Sequence, residues 1–128
     1  MCLIKSHRFP KIAWKPIKVY KVLVYFNKKL YTPFFWSSVK LNSTIKANKK
    51  WYSNLDDCFV SGEGIHSYRN FKDARECKKY LNTCNIDIDR CYYIVESKIP
   101  RFSLYWEGID INKSEIASTK LYLTDKKI

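Results

Sequence analysis

The run from Ile17 to Phe26 constrains the fold more than any other stretch of the sequence. It reads Ile-Lys-Val-Tyr-Lys-Val-Leu-Val-Tyr-Phe, so apolar residues occupy positions on both faces of a pleated strand. Such a strand must be covered on both sides. The run therefore predicts a central strand, with Asn27–Lys29 as the turn into a hairpin partner over Leu30–Trp36, which Pro33 interrupts.

Three later segments also have the composition of strands. Cys91–Ile99 is rich in aromatic and β-branched residues. Phe102–Trp106 predicts a short strand with Gly108 at the turn that follows. Ile116–Leu123 alternates in a way that is typical of a half-buried closing strand. The last five residues, Thr124–Ile128, are expected to fray.

One segment has the spacing of an amphipathic helix, which we predict over residues 70–82. Asn70 suits the N-cap, and Asp73 in the first turn suits the positive end of the helix dipole. The apolar positions recur at helical spacing. They are Phe71, Ala74, Cys77 or Lys78, and Leu81.

Strands on either side of one helix predict an α+β fold. The chain of 128 residues fits a single small domain spanning 1–128. The expected architecture is mainly an antiparallel twisted sheet or a partly open barrel, with the helix on one face. No apolar run approaches the ~20 residues needed to cross a bilayer, and no signal peptide is recognisable at the N-terminus. We expect no membrane partner and a cytoplasmic location.

The chain carries 24 Lys and Arg against 12 Asp and Glu, which gives a net charge of +12. A field of this sign attracts phosphates and nucleic acids, although Lys-rich composition also serves solubility. Ten Tyr, seven Phe and four Trp are more rings than a core of this size needs, so some should lie on the surface. Lys46–Lys50 followed by Trp51 and Tyr52 has the make-up of a phosphate-and-base surface or of a solvated loop.

A candidate pocket wall precedes the helix. Gly62 and Gly64 lack the third glycine of a dinucleotide fingerprint and the Gly-Lys-Ser/Thr of a P-loop, so a turn explains them. If the next residues are extended, His66 and Tyr68 share one face, and Arg69 follows as a bidentate anion donor. The alternative is a histidine satisfied by a backbone carbonyl.

Catalytic and metal-binding patterns are weak. The five cysteines form no Cys-x-x-Cys pair, so free thiols are expected, and His7 and His66 are the only imidazoles. No carboxylate pair stands out, and no metal or cofactor is predicted. Removal of Met1 would expose Cys2 as an N-terminal nucleophile whose amine acts as base, which is the one enzymatic alternative with a stated mechanism.

Several short motifs resemble those of a group of small, uncharacterised bacterial and phage proteins. The shared motifs are Met1–Ile4, Val19–Leu23, Tyr31–Pro33, Gly64–Tyr68, Ala74, Ile99–Pro100, Tyr105 with Gly108, Ala117–Ser118 and Lys120–Leu121. The sequence departs from the group at Arg101–Ser103, where a Lys-Gly-Ser step is usual. The resemblance implies a phage-encoded origin, hence the host cytosol, and implies no catalytic residue.

A fainter resemblance is to ADP-ribosyltransferase-like β folds, through the Tyr-containing first strand and the pair Ser118 and Thr119. Lys21 stands where those enzymes carry Arg or His, and no glutamate matches theirs. This resemblance implies a nucleotide-shaped groove without the activity.

These observations lead to one main hypothesis: a small basic protein that captures a phosphate-bearing ligand, namely a nucleotide, a nucleotide-derived signal or nucleic acid, for example as a counter-defence factor. Cations would hold phosphates and rings would stack. The predicted ligand-binding residues are His66, Tyr68, Arg69, Tyr20, Lys21, Arg101, Tyr105, Ser118 and Lys120, with Trp106 as a further stacking ring. The alternatives are an inhibitor or adaptor that binds a host protein through an aromatic patch, and an enzyme that acts on nucleotides or through Cys2.

Overall fold

The computed structural model describes residues 3–5, 9–33, 37–47, 59–60, 65–84, 90–110 and 113–128. Within these ranges the chain forms short and long strands around one helix. The elements are β1 (Leu3–Lys5), β2 (Lys11–Ile12), β3 (Ile17–Phe26), β4 (Lys29–Tyr31), β5 (Ser38–Val39), β6 (Ser43–Lys46), β7 (Phe59–Val60), β8 (Ile65–Tyr68), α1 (Phe71–Cys84), β9 (Cys91–Ile99), β10 (Leu104–Asp110), β11 (Lys113–Ser118) and β12 (Lys120–Lys127).

The strands form one sheet in the order β6-β12-β9-β3-β8-β11-β10-β1-β7, with β2 paired to β10 and with β4 and β5 branching from β3. Every strand pairing within the described ranges is antiparallel. The prediction of a mainly antiparallel sheet with one helix is confirmed. Only Thr119 separates β11 from β12, so these two strands join distant positions in the sheet order. Closure as a partly open barrel stays a prediction.

The strand β3 lies at the centre of the sheet, with the bounds expected from its sequence. It pairs with β9 from Ile17↔Ile99 to Tyr25↔Cys91. On its other side it meets β8 at Tyr20↔Tyr68 and then β4. Asn27 and Lys28 have φ values of 50° and 65°, so they make the left-handed turn of the β3–β4 hairpin.

The helix α1 spans Phe71–Cys84, two residues longer at its C-terminus than expected and starting just after the predicted cap. The carbonyl of Asn70 accepts the first helical hydrogen bond, from Ala74 N at 3.2 Å. Cys77, not Lys78, occupies the buried position between Ala74 and Leu81. The 3.6-residue spacing was therefore sufficient to identify the buried side of the helix.

Apolar side chains pack on both sides of β3 and β9. The side that we call the inner face carries Val19, Leu23 and Val95, all 0 % exposed, which pack in the larger core. The opposite side, the helix face, carries Val22 and Ile94, which pack against the apolar residues of α1. The central strand is thus covered on both sides, as its composition requires.

Four predictions near the C-terminus are wrong. The predicted closing strand Ile116–Leu123 is divided at Thr119 between β11 and β12. The strand β10 begins at Leu104 instead of Phe102 and runs through Gly108, which pairs with Glu115 instead of forming a turn. Phe102 belongs to the turn before it, with φ of 70°. The terminus does not fray within the described residues, because β12 pairs with β9 and Ile128 N donates to Ile94 O at 2.8 Å. Pairing with a strand distant in sequence fixes this segment.

Several predictions fall outside the described residues. They concern Cys2, Phe34–Trp36, the end of the basic run with Trp51 and Tyr52, and the turn at Gly62 and Gly64. In the part of the chain that is described, no helix has the length and apolar character needed to cross a membrane.

Candidate functional site

A buried polar cluster lies where β8 passes between β3 and β11. His66 Nδ1 is 2.9 Å from Glu115 Oε1, and both side chains are buried. Lys21 Nζ donates to the backbone carbonyl of His66 at 2.6 Å. This bond ties β3 to β8 next to the single backbone pair between them, Tyr20↔Tyr68. Two of the predicted ligand residues, Lys21 and His66, are therefore close together. They contact each other, and His66 contacts Glu115, inside the sheet, so they do not face an open surface.

Burial affects the protonation of Lys21. It lowers the pKa of Lys21 to about 8, against the opposing effect of the nearby Glu115 charge. The second carboxylate oxygen, Glu115 Oε2, and the hydroxyl oxygens of Ser67 and Ser118 are buried and have no hydrogen-bond partner among the described residues. The arrangement is suited to holding strands together, because each of these side chains is less than a tenth exposed.

Tyr68, predicted to share a ligand-facing surface with His66, packs under α1 and is 4 % exposed. Its side chain is hydrogen-bonded to the thiol of Cys77. Burial raises the pKa of that thiol, with the bond to Tyr68 acting in the opposite direction. A thiol of raised pKa is a poor nucleophile at neutral pH, so this pair has the properties of helix packing.

Arg69 lies on the other side of this segment, at the surface. Its Nη1 donates to Glu107 Oε1 at 2.7 Å, and Lys11 Nζ donates to Glu107 Oε2 at 2.9 Å. Arg69 lines a half-open depression of about 350 Å³, together with Asn70, Glu107 and Ser114. One carboxylate shared by two cations leaves a net charge of +1, and each cation is already held in an ion pair. The predicted pocket wall is therefore divided between a buried pair and a surface ion-pair network.

Four lysines lie near one another on the helix face beyond α1. Lys18 and Lys98 lie directly opposite each other on β3 and β9. Lys98 in turn faces Tyr122 on β12, and Lys120, two residues away on the same face, lies directly opposite Lys46 on β6. All four lysines are exposed. We call these four residues the lysine face.

Acidic residues are scarce on the described strands that carry the lysine face. On the four strands that build it, the acidic residues are Glu96 and Asp125. Glu96 accepts Lys18 Nζ at 2.8 Å and lies 3.5 Å from Lys126 Nζ. The bond from Lys18 lowers the pKa of Glu96, and the carboxylate raises the pKa of Lys18 in return. This leaves Lys46, Lys98 and Lys120 without an acidic partner in the described ranges.

Two exposed rings, which we call the aromatic rim, lie at the end of β3 and β9 that carries Lys18 and Lys98. Trp14 is 68 % exposed and Phe102 is 60 % exposed, and their ring centroids are 6.2 Å apart with perpendicular planes. Arg101 lies 4.5 Å from the centre of the Phe102 ring. The sequence reasoning missed both rings. The signal available was that each lies two residues from a proline that flanks a strand, Pro16 or Pro100.

The backbone at the rim is held by hydrogen bonds between two loops. Ala13 N donates to Ser103 O at 2.9 Å, and Phe102 N donates to Ala13 O at 2.6 Å. Ser103 N closes the turn on Pro100 O at 3.1 Å. These bonds fix the loop before β3 against the loop after β9, so the two rings are presented from a rigid support.

The remaining predicted ligand residues divide between surface and interior. Arg101 and Lys120 are exposed and border the aromatic rim and the lysine face. Tyr20 is half-buried, with its ring 5.7 Å from that of Phe71. Three predicted residues lie in or against the core: Tyr105, partly buried, its strand partner Ser118, and Trp106, 2 % exposed.

The described residues contain no group of three His, Cys, Asp or Glu side chains that could hold a metal ion. Comparison with protein-family models, with curated proteins and with solved structures returns no match.

Proposed function

We propose that this protein binds nucleic acid through the phosphate backbone, on the lysine face. The observation that carries the proposal is the pairing of like charges, Lys18↔Lys98 and Lys46↔Lys120. Like charges directly opposite on neighbouring strands destabilise a sheet, by a few tenths to about 1 kcal/mol for each pair. A polyanion relieves this repulsion, and its bound counterions are released when the lysines replace them.

Resistance to edge-to-edge association is an alternative reason for lysines in a sheet. It applies to Lys46, because β6 is an edge strand. It does not apply to Lys98, because β9 lies between β3 and β12 in the sheet interior. A lysine without an acidic partner on an interior strand favours a binding role.

The dimensions of the face favour an extended ligand over a single nucleotide. Lys18 and Lys46 are on strands separated by three inter-strand gaps, and at ~4.8 Å each these amount to roughly 14 Å. The surface is open, and its cations are spread along it. A chain of neighbouring phosphates contacts such a row at several points, whereas a mononucleotide reaches only part of it.

The test is the salt dependence of binding to a nucleic acid. About four phosphate contacts, from Lys46, Lys98, Lys120 and Arg101, give a log–log slope near −3 on a single strand, so affinity should fall about 50-fold between 50 and 200 mM salt. Replacing the three lysines by Gln should reduce the slope by about 2 and weaken binding at least tenfold. Fluorescence anisotropy with a labelled oligonucleotide measures both.

The matched control removes the same number of charges from the exposed side of α1, by changing Lys72, Arg75 and Lys79 to Gln. This variant has the same net charge as the lysine-face variant, so a general field effect would weaken both equally. Equal weakening, or binding that does not respond to salt, contradicts the proposal.

A further inference from the structure

We propose that the aromatic rim is a nucleobase-stacking site, which makes the neighbouring lysine face selective for single-stranded nucleic acid. The inference rests on the proposed function and names the form of its ligand. Trp14 and Phe102 are the rings on which an unpaired base stacks, and Arg101 holds the adjacent phosphate.

The exposure of the two rings is the first observation. A Trp that is 68 % exposed and a Phe that is 60 % exposed leave most of their apolar surface in water. Burying apolar area stabilises a complex by about 25 cal/mol per Å². A partner that covers these two rings would therefore gain this free energy. The ring centroids are 6.2 Å apart and the ring planes are perpendicular, so the two rings meet edge to face and do not stack on each other.

The backbone at Phe102 is the second observation. Its φ of 70° lies in the left-handed region, which is unfavourable for a bulky residue with a Cβ atom and easy for glycine. The bonds that Phe102 and Ser103 make to Ala13 and Pro100 hold this conformation. A large ring is thus presented to solvent from a turn that glycine would form with less strain, so the ring contributes something other than stability.

Charge completes the site. The guanidinium of Arg101, 4.5 Å from the Phe102 ring centre, places a cation beside the rim. Lys98 lies four residues before Phe102, on the strand that leads into the turn. A base on the rim would therefore have its own phosphate near Arg101 and its neighbours along the lysine face.

Duplex bases are already stacked and paired, so they cannot enter a site of this kind, whereas the bases of a single strand can. Stacking uses the π-face that every base has, so the site should accept any sequence. The expected ligand is a single strand with little sequence preference.

The test compares three probes of equal length, about 12 units each: an oligothymidylate, an abasic oligodeoxynucleotide and a duplex. We expect Phe102→Gly to weaken oligothymidylate binding about tenfold, in the range measured for the loss of one stacked base. Binding of the abasic strand should stay within twofold. Phe102→Gly relieves the left-handed backbone, so the variant should fold, and thermal unfolding checks this.

A second variant, Trp14→Phe, lacks the fluorescence of Trp14. The difference between its emission and that of the wild type therefore separates the Trp14 signal from that of the other three tryptophans. Oligothymidylate should quench this component and the abasic strand should not. The control is Tyr80→Ala, which removes an exposed ring from α1 and should leave all three affinities unchanged.

The outcomes separate the two proposals. If none of the probes binds, the proposed function fails. If all bind but Phe102→Gly weakens the abasic strand as much as the oligothymidylate, or weakens neither, the stacking site is overturned while backbone binding stands. Equal affinity for duplex and single strand also overturns single-strand selectivity.

Discussion

The two halves of the helix face follow the same strand alternation and have opposite chemistry. Under α1, the positions on β3 and β9 are apolar, as at Val22 and Ile94, which are 2 % exposed. Beyond α1, the positions on the same face of these two strands are occupied by the exposed residues Lys18 and Lys98. The difference is explained by coverage, because within the described ranges only the first half has a helix packed on it. The helix thereby determines which half can act as a binding surface.

Two lysines of β3 show the same contrast in protonation. Lys18 is exposed, and its hydrogen bond to Glu96 raises its pKa. Lys21 is 7 % exposed, and burial lowers its pKa to about 8. The first is a surface cation whose charge is stabilised by its ion pair with Glu96. The second is a structural group whose charge opposes folding.

Truncating one side chain in each half to alanine should reveal the largest difference in stability. Ile94→Ala leaves a cavity between the sheet and α1 and should lower the free energy of unfolding by about 3 kcal/mol. Lys98→Ala, on the same face of the same strand, should change it by no more than about 0.5 kcal/mol. Urea denaturation measures both. Similar losses in the two variants would mean that α1 does not distinguish the halves.

The buried lysine should make stability depend on pH. Its folded pKa of about 8 is below the reference value of 10.5, so between these values the unfolded state binds more protons and stability rises with pH. The Lys21 contribution amounts to about 3 kcal/mol over that window. In Lys21→Met this rise in stability should be absent. The free energy of unfolding of the variant relative to that of the wild type should therefore fall by about 3 kcal/mol between pH 8 and 10.5. Denaturation curves at several pH values measure this; parallel pH profiles would contradict it.

The smallest effect concerns repulsion within the lysine face. Lys120→Glu places a carboxylate opposite Lys46 and should stabilise the sheet by about 0.5 kcal/mol while weakening nucleic-acid binding. The double variant with Lys46→Glu restores like charges and should lose the gain. Thermal unfolding at low and high salt measures the difference, which should shrink as salt screens it. A gain that is the same in the single and double variants would show that charge pairing is not its cause.

Much of the secondary structure followed from local pattern. The central strand Ile17–Phe26, the strand Cys91–Ile99 and the buried positions of α1 were correctly predicted, since each has a long run of one periodicity. The strand after Pro100 was placed too early, because Phe102 has the composition of a strand residue but occupies a left-handed turn. Composition carries no information about φ at a single position.

The candidate site was less predictable. Arg101 and Lys120 were named for their charge and are exposed beside the aromatic rim and the lysine face. His66 and Tyr68 were named for their chemistry and are buried, because His66 lies beside Glu115 of a neighbouring strand and Tyr68 is covered by the helix that follows it. A side chain's chemistry is visible in the sequence, whereas its accessibility depends on what packs over it.

The sequence by itself determined the net positive charge, the central strand and the apolar side of the helix, because these depend on composition and on local periodicity. The tertiary structure alone decided which lysines face one another, since strand register joins residues such as Lys18 and Lys98 that are 80 positions apart. It also decided that Trp14 meets Phe102 at one end of the sheet. Local energetics set the elements, but long-range pairing set the surface on which charge and rings come together.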